Sequence, residues 1–394
     1  MKKISVFLSV VMLVLLAGML NGHTAIHAAP VPHVPTQEQV CSNAPKGYAR
    51  CLAIRVVSQH LLRPHTAKAL PAGYGPTDLQ NAYKLPSTTA GSGQTIAIVD
   101  ASDDPTAESD LAAYRAQYNL PACTTANGCF KKVNQDGNKR YPSTDIGWSE
   151  EISLDLDMVS AVCPNCHILL VEAKDASFGN LGHAVETAIH LKANAISNSY
   201  GGDEDWSDAL LYAHYYNHPG VAITASAGDN GYGVELPAAY NTVTAVGGTS
   251  LYPDSNTRGW SEMVWNGTGS GCSAFVSKPR WQTDRGCKNR TVSDVAAVAD
   301  PNTGLAVYDS YGNAGGWMIL GGTSASSPII AGVYALAGHT AQINTVAYPY
   351  THTNGLNMVT SGNNGSCKQL YLCSGVNGYN GPTGLGTPNG LAAF

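Results

Sequence analysis

From residue 94 onward, the chain alternates short apolar runs with longer segments of helical periodicity. The apolar runs predict strands at 95–100, 167–172, 195–199 and 221–225, and the segments between them predict helices at about 105–117, 150–162, 180–193 and 206–217. Strands that alternate with helices of this length form right-handed βαβ units and a parallel sheet covered on both faces. Beyond about residue 240 the strands are shorter and Gly and Trp are more frequent. No repeat or linker interrupts the pattern, so we expect one α/β domain.

The first 72 residues have a different pattern. Lysines at positions 2 and 3 precede an apolar run at 4–20, and alanines occur near position 29. This pattern predicts a secretory signal peptide over residues 1–29. Residues 30–72 are rich in Pro and His and weakly periodic, which predicts a short pro-segment or N-terminal arm. No other segment of the sequence is apolar over the length of a membrane span, so we expect a secreted, extracellular protein.

Charged residues are scarce along the whole chain. There are 22 Lys and Arg and 28 Asp and Glu, so 13% of residues are charged, against about 25% in typical soluble proteins. A hydrophobic content of 44% excludes an intrinsically disordered chain. A net charge of −6 provides no basic surface for nucleic acid. The scarcity of charge itself has no explanation at this point.

The ten cysteines occur as close neighbours along the chain. The neighbours are Cys41 and Cys51, Cys123 and Cys129, Cys163 and Cys166, Cys272 and Cys287, and Cys367 and Cys373. Five local disulfides are the simplest pairing in an exported protein, although spacing alone leaves other pairings open. Cys163, Cys166 and His167 also match the C-x-x-C-H pattern of covalent haem attachment. Because His167 begins an apolar run typical of a buried strand, we favour the disulfide.

Two copies of Gly-Gly-Thr-Ser lead into different kinds of segment. The copy at 247–250 leads into an extended stretch and predicts a tight turn. The copy at 321–324 leads into an apolar helix at 325–337. A serine at a helix N-terminus lies among free backbone N–H groups, a setting that suits a nucleophilic hydroxyl. Ser324 is therefore a candidate nucleophile, and the alternative is that it serves only as an N-cap.

A serine nucleophile needs a base, and none of the 12 histidines lies in a suitable context. The acidic helix offers carboxyl groups for this role. Glu151 and Asp155 are four residues apart, so they share one helical face and can titrate as a pair. The alternative is that acidic residues occupy the first helical turn because the helix dipole favours them there. Spacing alone favours that alternative.

Several motifs resemble the sedolisins, which are serine-carboxyl peptidases with the subtilisin fold. The motifs are Ser226–Gly231, Pro237–Ser250, Gly322–Pro328 and, near the C-terminus, Tyr379–Pro388. The resemblance covers residues 73–394 and implies a subtilisin-like three-layer α/β fold, with a central parallel sheet flanked by helices. Compared with subtilisins, the segment from Glu151 to Cys166 is similar to the histidine helix, with Glu in place of the histidine.

The resemblance implies roles for four residues. Ser324 would be the nucleophile, Glu151 the general base and later the acid, Asp155 the partner that orients Glu151, and Asp229 the oxyanion donor. A carboxylic acid donates to an oxyanion only while it is protonated. A carboxylate base is efficient when its pKa lies near the working pH. Both roles therefore favour an acidic medium.

Three further acids lie close to these residues in the sequence pattern. Glu150 and Asp157 are near Glu151 in register, but neither lies on the matching position of the motif. Asp100 ends its strand where subtilisins have the aspartate of their triad. With no histidine to orient, Asp100 is expected to be structural or to support the site indirectly.

The sequence departs from the family in two places. Sedolisins carry a long pro-domain, whereas only residues 30–72 separate the predicted signal from the catalytic region. The family's C-terminal calcium site uses two Asp carboxylates, and Asn357 and Asn380 stand at those positions. Losing two negative charges weakens a hard-cation site, so calcium binding is not assured and no other cofactor is expected. We expect the Cys367–Cys373 pair to tie this loop partly in place of the metal.

We therefore expect a secreted endopeptidase that hydrolyses polypeptides in acid through an acyl-enzyme on Ser324. Its partners would be polypeptide substrates, without nucleic acid or, after signal cleavage, a membrane, and we expect a monomer. The alternative is a catalytically silent binding or surface protein of the sedolisin fold, which the missing long pro-domain would favour and the four site residues oppose. An α/β-hydrolase esterase lacks its G-x-S-x-G elbow here, and a neutral-pH subtilisin lacks its histidine.

Overall fold

The segments predicted to be strands meet in one central sheet. The computed structural model describes residues 36–57, 70–312 and 314–394, so the predicted signal peptide at 1–29 lies outside the described residues. The α-helices are α1 Pro76–Ala82, α2 Ala107–Gln117, α3 Ile146–Val162, α4 Phe178–His190, α5 Trp206–Leu211, α6 Thr323–Ala337 and α7 Tyr348–Thr351. Short 3₁₀ turns occupy Ala213–Tyr216, Pro301–Thr303, Thr340–Gln342, Thr353–Gly355 and Leu370–Leu372.

The strands are, in chain order, β1 Thr36–Gln39, β2 Arg50–Cys51, β3 Ile54–Val57, β4 Thr95–Ala101, β5 Phe130–Asn134, β6 His167–Ala173, β7 Ala195–Asn198, β8 Tyr200–Asp203, β9 Ala222–Ser226, β10 Glu235–Leu236, β11 Thr244–Pro253, β12 Trp260–Val264, β13 Gly271–Ser277, β14 Asn289–Val292, β15 Val295–Val298, β16 Leu305–Asp309, β17 Gly316–Gly321, β18 Leu356–Asn357 and β19 Thr387–Pro388. The central sheet has the order β12-β11-β9-β7-β4-β6-β5, and β15 also pairs with β11. All of its pairings are parallel except that of β11 with β12.

The central strand β4 shows why the sheet is covered on both faces. Successive side chains of a strand point to opposite faces. Ile96 and Ile98 therefore pack into one buried cluster, while Ala97 and Val99 pack into another. Helices α3 and α6 lie on the first face and α4 lies on the second. The predicted three-layer α/β fold is confirmed.

Two predictions about single segments are wrong. The helix predicted at 206–217 is divided into α5 and the following 3₁₀ turn, Ala213–Tyr216. The Gly-Gly-Thr-Ser copy at 247–250 is not a tight turn, because it lies inside the ten-residue strand β11. A Cβ on Gly247 would lie 2.0 Å from the Pro382 carbonyl oxygen. These glycines therefore permit close packing around a buried strand.

The five disulfides expected from the cysteine spacing are all present. Cys163 and Cys166 are bonded to each other, so their sulfurs are not available for thioether bonds to a haem. The haem alternative is thereby excluded. Among the described helices, none has the length and apolar character needed to cross a membrane.

The C-terminal loop does not fit the calcium site that the resemblance implies. The Asn380 amide nitrogen donates to the carbonyl oxygens of Val359 at 3.1 Å and Val376 at 3.5 Å. Its Oδ1 accepts from the backbone N–H and the hydroxyl of Thr383. The Asn357 amide likewise donates to a backbone carbonyl, that of Pro388. Asn380 therefore uses both its nitrogen and its oxygen for hydrogen bonds within the loop. No cluster of three or more His, Cys, Asp or Glu ligands occurs in the described ranges.

We predict that a chelator leaves the melting temperature unchanged, because the Asn380 amide already satisfies the loop carbonyls. Asn380→Asp should destabilise the protein by about 1–3 kcal/mol, since a carboxylate cannot donate to Val359. Thermal melts with EDTA and with added calcium test both statements. A fall in the wild-type melting temperature that added calcium reverses would contradict this account of the loop.

Candidate active site

Helix α3 places two carboxyls on one buried face. The helix begins at Ile146, where Asp145 caps it by accepting from the Trp148 N–H, and no acidic residue lies in its first turn. Glu151 and Asp155 therefore lie in the helix interior, and the explanation based on the helix dipole is wrong for them. Both are completely buried. Because burial is costly for a charged side chain, these carboxyls need hydrogen-bond partners or a proton.

Ser324 lies in the first turn of α6 and contacts Glu151. The residue before the helix is Gly322, whose φ of 93° places it in the left-handed region that favours glycine, and the cap is therefore not Ser324. The Ser324 hydroxyl donates to Glu151 Oε2 at 2.8 Å. The two residues are 173 positions apart in the sequence, so only the packing of α3 against α6 brings them together.

Asp155 is held by a residue that the sequence interpretation missed. The Ser199 hydroxyl lies 2.8 Å from each carboxylate oxygen of Asp155. Ser199 comes directly after β7, at the carboxyl edge of the sheet where function gathers in such folds. That position at the end of the predicted strand 195–199 was the signal that could have identified it.

Asp229 faces the N-terminus of α6. Its Oδ1 accepts from the Thr323 backbone N–H at 2.8 Å and from the Thr323 hydroxyl at 2.7 Å. Its Oδ2 is buried and has no hydrogen-bond partner among the described residues. A Cβ on Gly322 would lie 2.6 Å from this oxygen and 1.9 Å from the Leu52 carbonyl oxygen, so only a glycine at this position lets both oxygens come this close.

Glu150 and Asp157, the two acids near Glu151 in the sequence, contact other residues. Glu150 pairs with Arg55, with 2.6 Å between the carboxylate and the guanidinium. Asp157 accepts from the Tyr308 backbone N–H at 2.9 Å. Neither contacts Ser324, so the structure brings Glu151, and not its neighbours, to the serine.

Residues 36–57, part of the expected pro-segment or arm, pass through this site. The backbone N–H groups of Leu52 and Ala53 donate to Glu151 Oε2 at 3.0 Å and 2.8 Å. Both residues are completely buried. The sequence interpretation did not place this segment at the site. The apolar run 51–54 within a Pro/His-rich region was the available signal, but its partners lie far away in the sequence.

Burial changes the acidity of the whole cluster. It raises the pKa of Asp229 to about 7 against the hydrogen bonds from Thr323, which lower it. Burial raises the pKa of Glu151 and Asp155 well above their usual range, and the nearby carboxyl of Asp100 adds to both rises. Asp100 itself is buried, and neither of its oxygens has a hydrogen-bond partner in the described part of the chain.

Hydrogen bonding decides which carboxyl keeps a negative charge. Glu151 Oε2 accepts from two backbone N–H groups and one hydroxyl, whereas Asp155 accepts only from Ser199 and Asp100 from no described residue. Donated hydrogen bonds favour the ionised form of an acid. The hydrogen bonds from Ser324 and Ala53 therefore favour the ionised form of Glu151 and oppose the rise in its pKa that burial causes. The arrangement can accept the serine proton and return it to a leaving group.

Comparisons with known proteins identify the family of this chain. The model of the subtilase family matches residues 133–353. Kumamolisin of Bacillus sp. (strain MN-32) is 31% identical, with 82% of this chain and 63% of kumamolisin covered. Sedolisin of Pseudomonas sp. (strain 101) is 28% identical, with 83% of this chain and 61% of sedolisin covered. This chain thus spans less than two thirds of the length of either relative.

A solved structure shows the same fold. Pseudomonas sedolisin, complexed with two molecules of pseudo-iodotyrostatin, superposes with a TM-score of 0.67 at 24% sequence identity. The match covers 82% of this chain and 96% of the solved chain. At this level of identity, the superposition establishes the fold alone.

The raised pKa values predict a protein that is more stable in acid than at neutral pH. A carboxyl whose pKa is higher in the folded than in the unfolded state binds more protons when folded. Its stabilising contribution is full below the unfolded pKa and is lost as pH rises through the folded pKa, here from about pH 4 to about pH 7 for Asp229. Thermal melts across this range should show a falling melting temperature. A melting temperature that rises steadily toward neutral pH would contradict the burial of protonated carboxyls.

Proposed function

The chain is a sedolisin-type member of the subtilase family, and we propose that it is a secreted serine-carboxyl endopeptidase that cuts polypeptides in acid through an acyl-enzyme on Ser324. The observation that carries the proposal is the hydrogen bond from the Ser324 hydroxyl to the buried carboxyl of Glu151. A serine becomes an effective nucleophile when an adjacent base can take its proton. Glu151 occupies the position of that base.

Glu151 also lies where a leaving group needs a proton. Its Oε2 is 2.8 Å from Ser324 Oγ and 2.8 Å from the Ala53 backbone nitrogen, which belongs to a peptide running through the site. One oxygen atom can therefore accept the proton of the serine and pass it to a departing amine, as general acid–base catalysis requires. Asp155, fixed by Ser199, lies one turn along α3 and is proposed to orient Glu151.

Asp229 is proposed to stabilise the oxyanion. Its free Oδ2 and the Leu52 carbonyl oxygen both face the space beside Gly322, because a Cβ there would lie 2.6 Å and 1.9 Å from them. A protonated carboxyl can donate a hydrogen bond to the negative charge that develops on such a carbonyl oxygen. With a pKa of about 7, Asp229 holds that proton in acid and loses it toward neutral pH. This supports an acidic working range.

Endopeptidase action is supported by the path of the chain through the cleft. Arg50 and Cys51 pair with β8 on one side of the site, and Ile54 and Arg55 pair with β17 on the other. A cleft that holds extended backbone on both sides of the serine can take an internal bond of a polypeptide.

Export is supported by the disulfides. Ten cysteines form five bonds, and the described residues contain no free thiol. Disulfides persist in oxidising compartments and are rare in reducing ones. The N-terminal sequence that predicts a signal peptide supports the same location.

Ser324→Ala should lower casein hydrolysis in acid by at least about a thousandfold, because the nucleophile is lost. The matched control is Ser326→Ala, since Ser326 is buried in the same helix and its hydroxyl has no described partner. Both variants should unfold near the wild-type temperature. If Ser324→Ala hydrolysed casein as fast as wild type, the proposal would be overturned. If folded wild type hydrolysed no casein, the alternative of a catalytically silent binding protein would be favoured.

Glu151→Gln should lower the same activity by about 10²–10⁴-fold, because an amide cannot take the serine proton. Glu150→Gln is the matched control: it changes the neighbouring acid, which pairs with Arg55 and does not contact Ser324. Initial rates of casein hydrolysis across an acidic pH series measure both. If Glu150→Gln lost activity and Glu151→Gln kept it, the assignment of the base would be wrong.

A further inference from the structure

We propose that a groove between α5 and β13 is an exosite, which binds an uncharged, apolar segment of the polypeptide substrate about six to ten residues N-terminal of the bond that is cut. This inference rests on the proposed peptidase function and adds a requirement on the substrate. The groove lies beyond the end of β8, away from the carboxyls around Ser324, and has a volume of about 570 Å³.

Large apolar side chains are exposed on both walls of the groove. Trp206 and Leu210 of α5 are 63% and 70% exposed, and Phe275 of β13 is 47% exposed. Clustered apolar side chains left in water indicate a surface that another molecule covers. None of the described residues that line the groove is Asp, Glu, Lys or Arg. A charged segment would lose its water there without gaining an ionic partner, so the groove favours an uncharged one.

Hydrogen bonds hold both walls of the groove in place. Tyr240 lines the groove and is almost completely buried, and its hydroxyl donates to the backbone carbonyl of Asp208 in α5 at 2.9 Å. The Tyr240 ring also stacks on Tyr216, with 5.2 Å between the ring centroids. On the β13 side, the carboxylate of Glu204 accepts from the Ala274 backbone N–H at 2.9 Å. A groove whose walls are already fixed loses little conformational freedom when it binds a peptide.

The groove adjoins the active-site cleft. Glu204, together with Gly201 and Arg50, lines a cavity of about 460 Å³ in the cleft. The carboxylate of Glu204 also holds β13, because it accepts from the Ser273 hydroxyl and from the Ala274 N–H, and Ala274 lines the apolar groove. One residue therefore borders the cleft and contacts the wall of the groove, so a polypeptide that leaves the cleft past Glu204 reaches the groove next.

The pairing with β8 gives the direction and the distance. Arg50 pairs with Gly201 in antiparallel register, so the N-terminal part of a peptide bound in this way runs toward α5. The peptide bond beside Glu151 follows Leu52, which places Gly201 opposite the third residue before the cut. Trp206 is five positions beyond Gly201. An extended substrate covers this distance with about five more residues, so the groove receives residues about six to ten positions before the cut.

The lining of the groove favours a polypeptide substrate over a lipid surface. Protein surfaces that lie on membranes carry Lys and Arg beside their apolar side chains. Among the residues described around this groove, none is Lys or Arg. A substrate also accounts for the position of the groove next to the cleft, which neither a lipid nor a second copy of this chain requires.

The test compares two peptides that share one cleavable sequence and differ only before it. One peptide has Phe and Leu at the sixth to tenth positions before the cut, and the other has Ser and Gln there. We expect wild type at about pH 4 to cleave the apolar peptide with a KM about tenfold lower and the same kcat, because contacts far from the reacting bond strengthen substrate and transition state alike. Equal KM values for the two peptides would overturn the proposal.

Leu210→Ser should raise KM for the apolar peptide about 5–10-fold and leave KM for the Ser/Gln peptide unchanged. The matched control is Leu370→Ser, which should change neither value, because Leu370 is 68% exposed, like Leu210, and does not line the groove. If Leu210→Ser weakened cleavage of both peptides equally, the side chain would support the fold and not the substrate, and the proposal would be wrong.

The remaining outcomes separate the exosite from other occupants and from the proposed function. Light scattering and sedimentation with phosphatidylcholine vesicles are measured on wild type and Leu210→Ser. If Leu210→Ser dissociates a dimer or releases the protein from vesicles while KM stays unchanged, another occupant covers the groove and the proposal is wrong. If wild type cleaves both peptides alike, the exosite is wrong and the peptidase assignment stands. If wild type cleaves neither peptide, the peptidase assignment fails and the exosite fails with it.

Discussion

The exclusion of water from a group of carboxyls is the constraint on which the rest of this site depends. Glu151, Asp155 and Asp100 are completely buried, and Asp229 nearly so. Out of water, several negative charges cannot coexist at short range, so the carboxyls retain protons and share what charge remains. The donors around Glu151 favour its ionised form beside Ser324. At neutral pH, burial of these carboxyls destabilises the folded protein because they tend to ionise. In acid, the same buried carboxyls hold protons that they can transfer.

The scarcity of charge along the sequence is related to this arrangement. Fifteen of the 28 acidic side chains are buried, whereas Arg115 and Arg290 are the only described Lys or Arg side chains that are. Most of the buried ionisable side chains are therefore Asp and Glu, which lose their charge when they are protonated. In acid, the remaining cations repel one another, and a chain with few Lys and Arg limits that repulsion. We interpret the composition as that of a protein built to stay folded in acid.

The local hydrophobic pattern predicted the strands and helices that form the layers of the fold. It did not predict which distant segments of the chain contact one another. The alternation in β4 and the helical periodicity of α6 are properties of adjacent residues, so the sequence reveals them directly. The copy of Gly-Gly-Thr-Ser in β11 was misread because glycine serves close packing as well as turns, and only the neighbouring backbone at Pro382 distinguishes the two. Helix α3 begins before its predicted start because the cap at Asp145 lies outside the apolar repeat.

The candidate site shows the same division. Helical spacing placed Glu151 and Asp155 on one face, but their roles came from resemblance, since the contact with Ser324 depends on packing across the fold. The place of residues 50–55 in the site was missed because β3 pairs with β17, more than 260 residues away, and no local pattern records such a pairing. The backbone of this segment donates hydrogen bonds to Glu151, so a peptide already occupies the site.

The most direct test of this site is the pH dependence of kcat/KM for a peptide substrate in wild type and in Asp229→Asn. Wild-type activity should fall as pH rises through about 7, where Asp229 loses its proton. In Asp229→Asn an amide donates at any pH, so the remaining activity should persist to higher pH. If the fall occurs at the same pH in both proteins, the protonation of Asp229 does not set the pH range of the site, and the role given to the buried carboxyls is wrong.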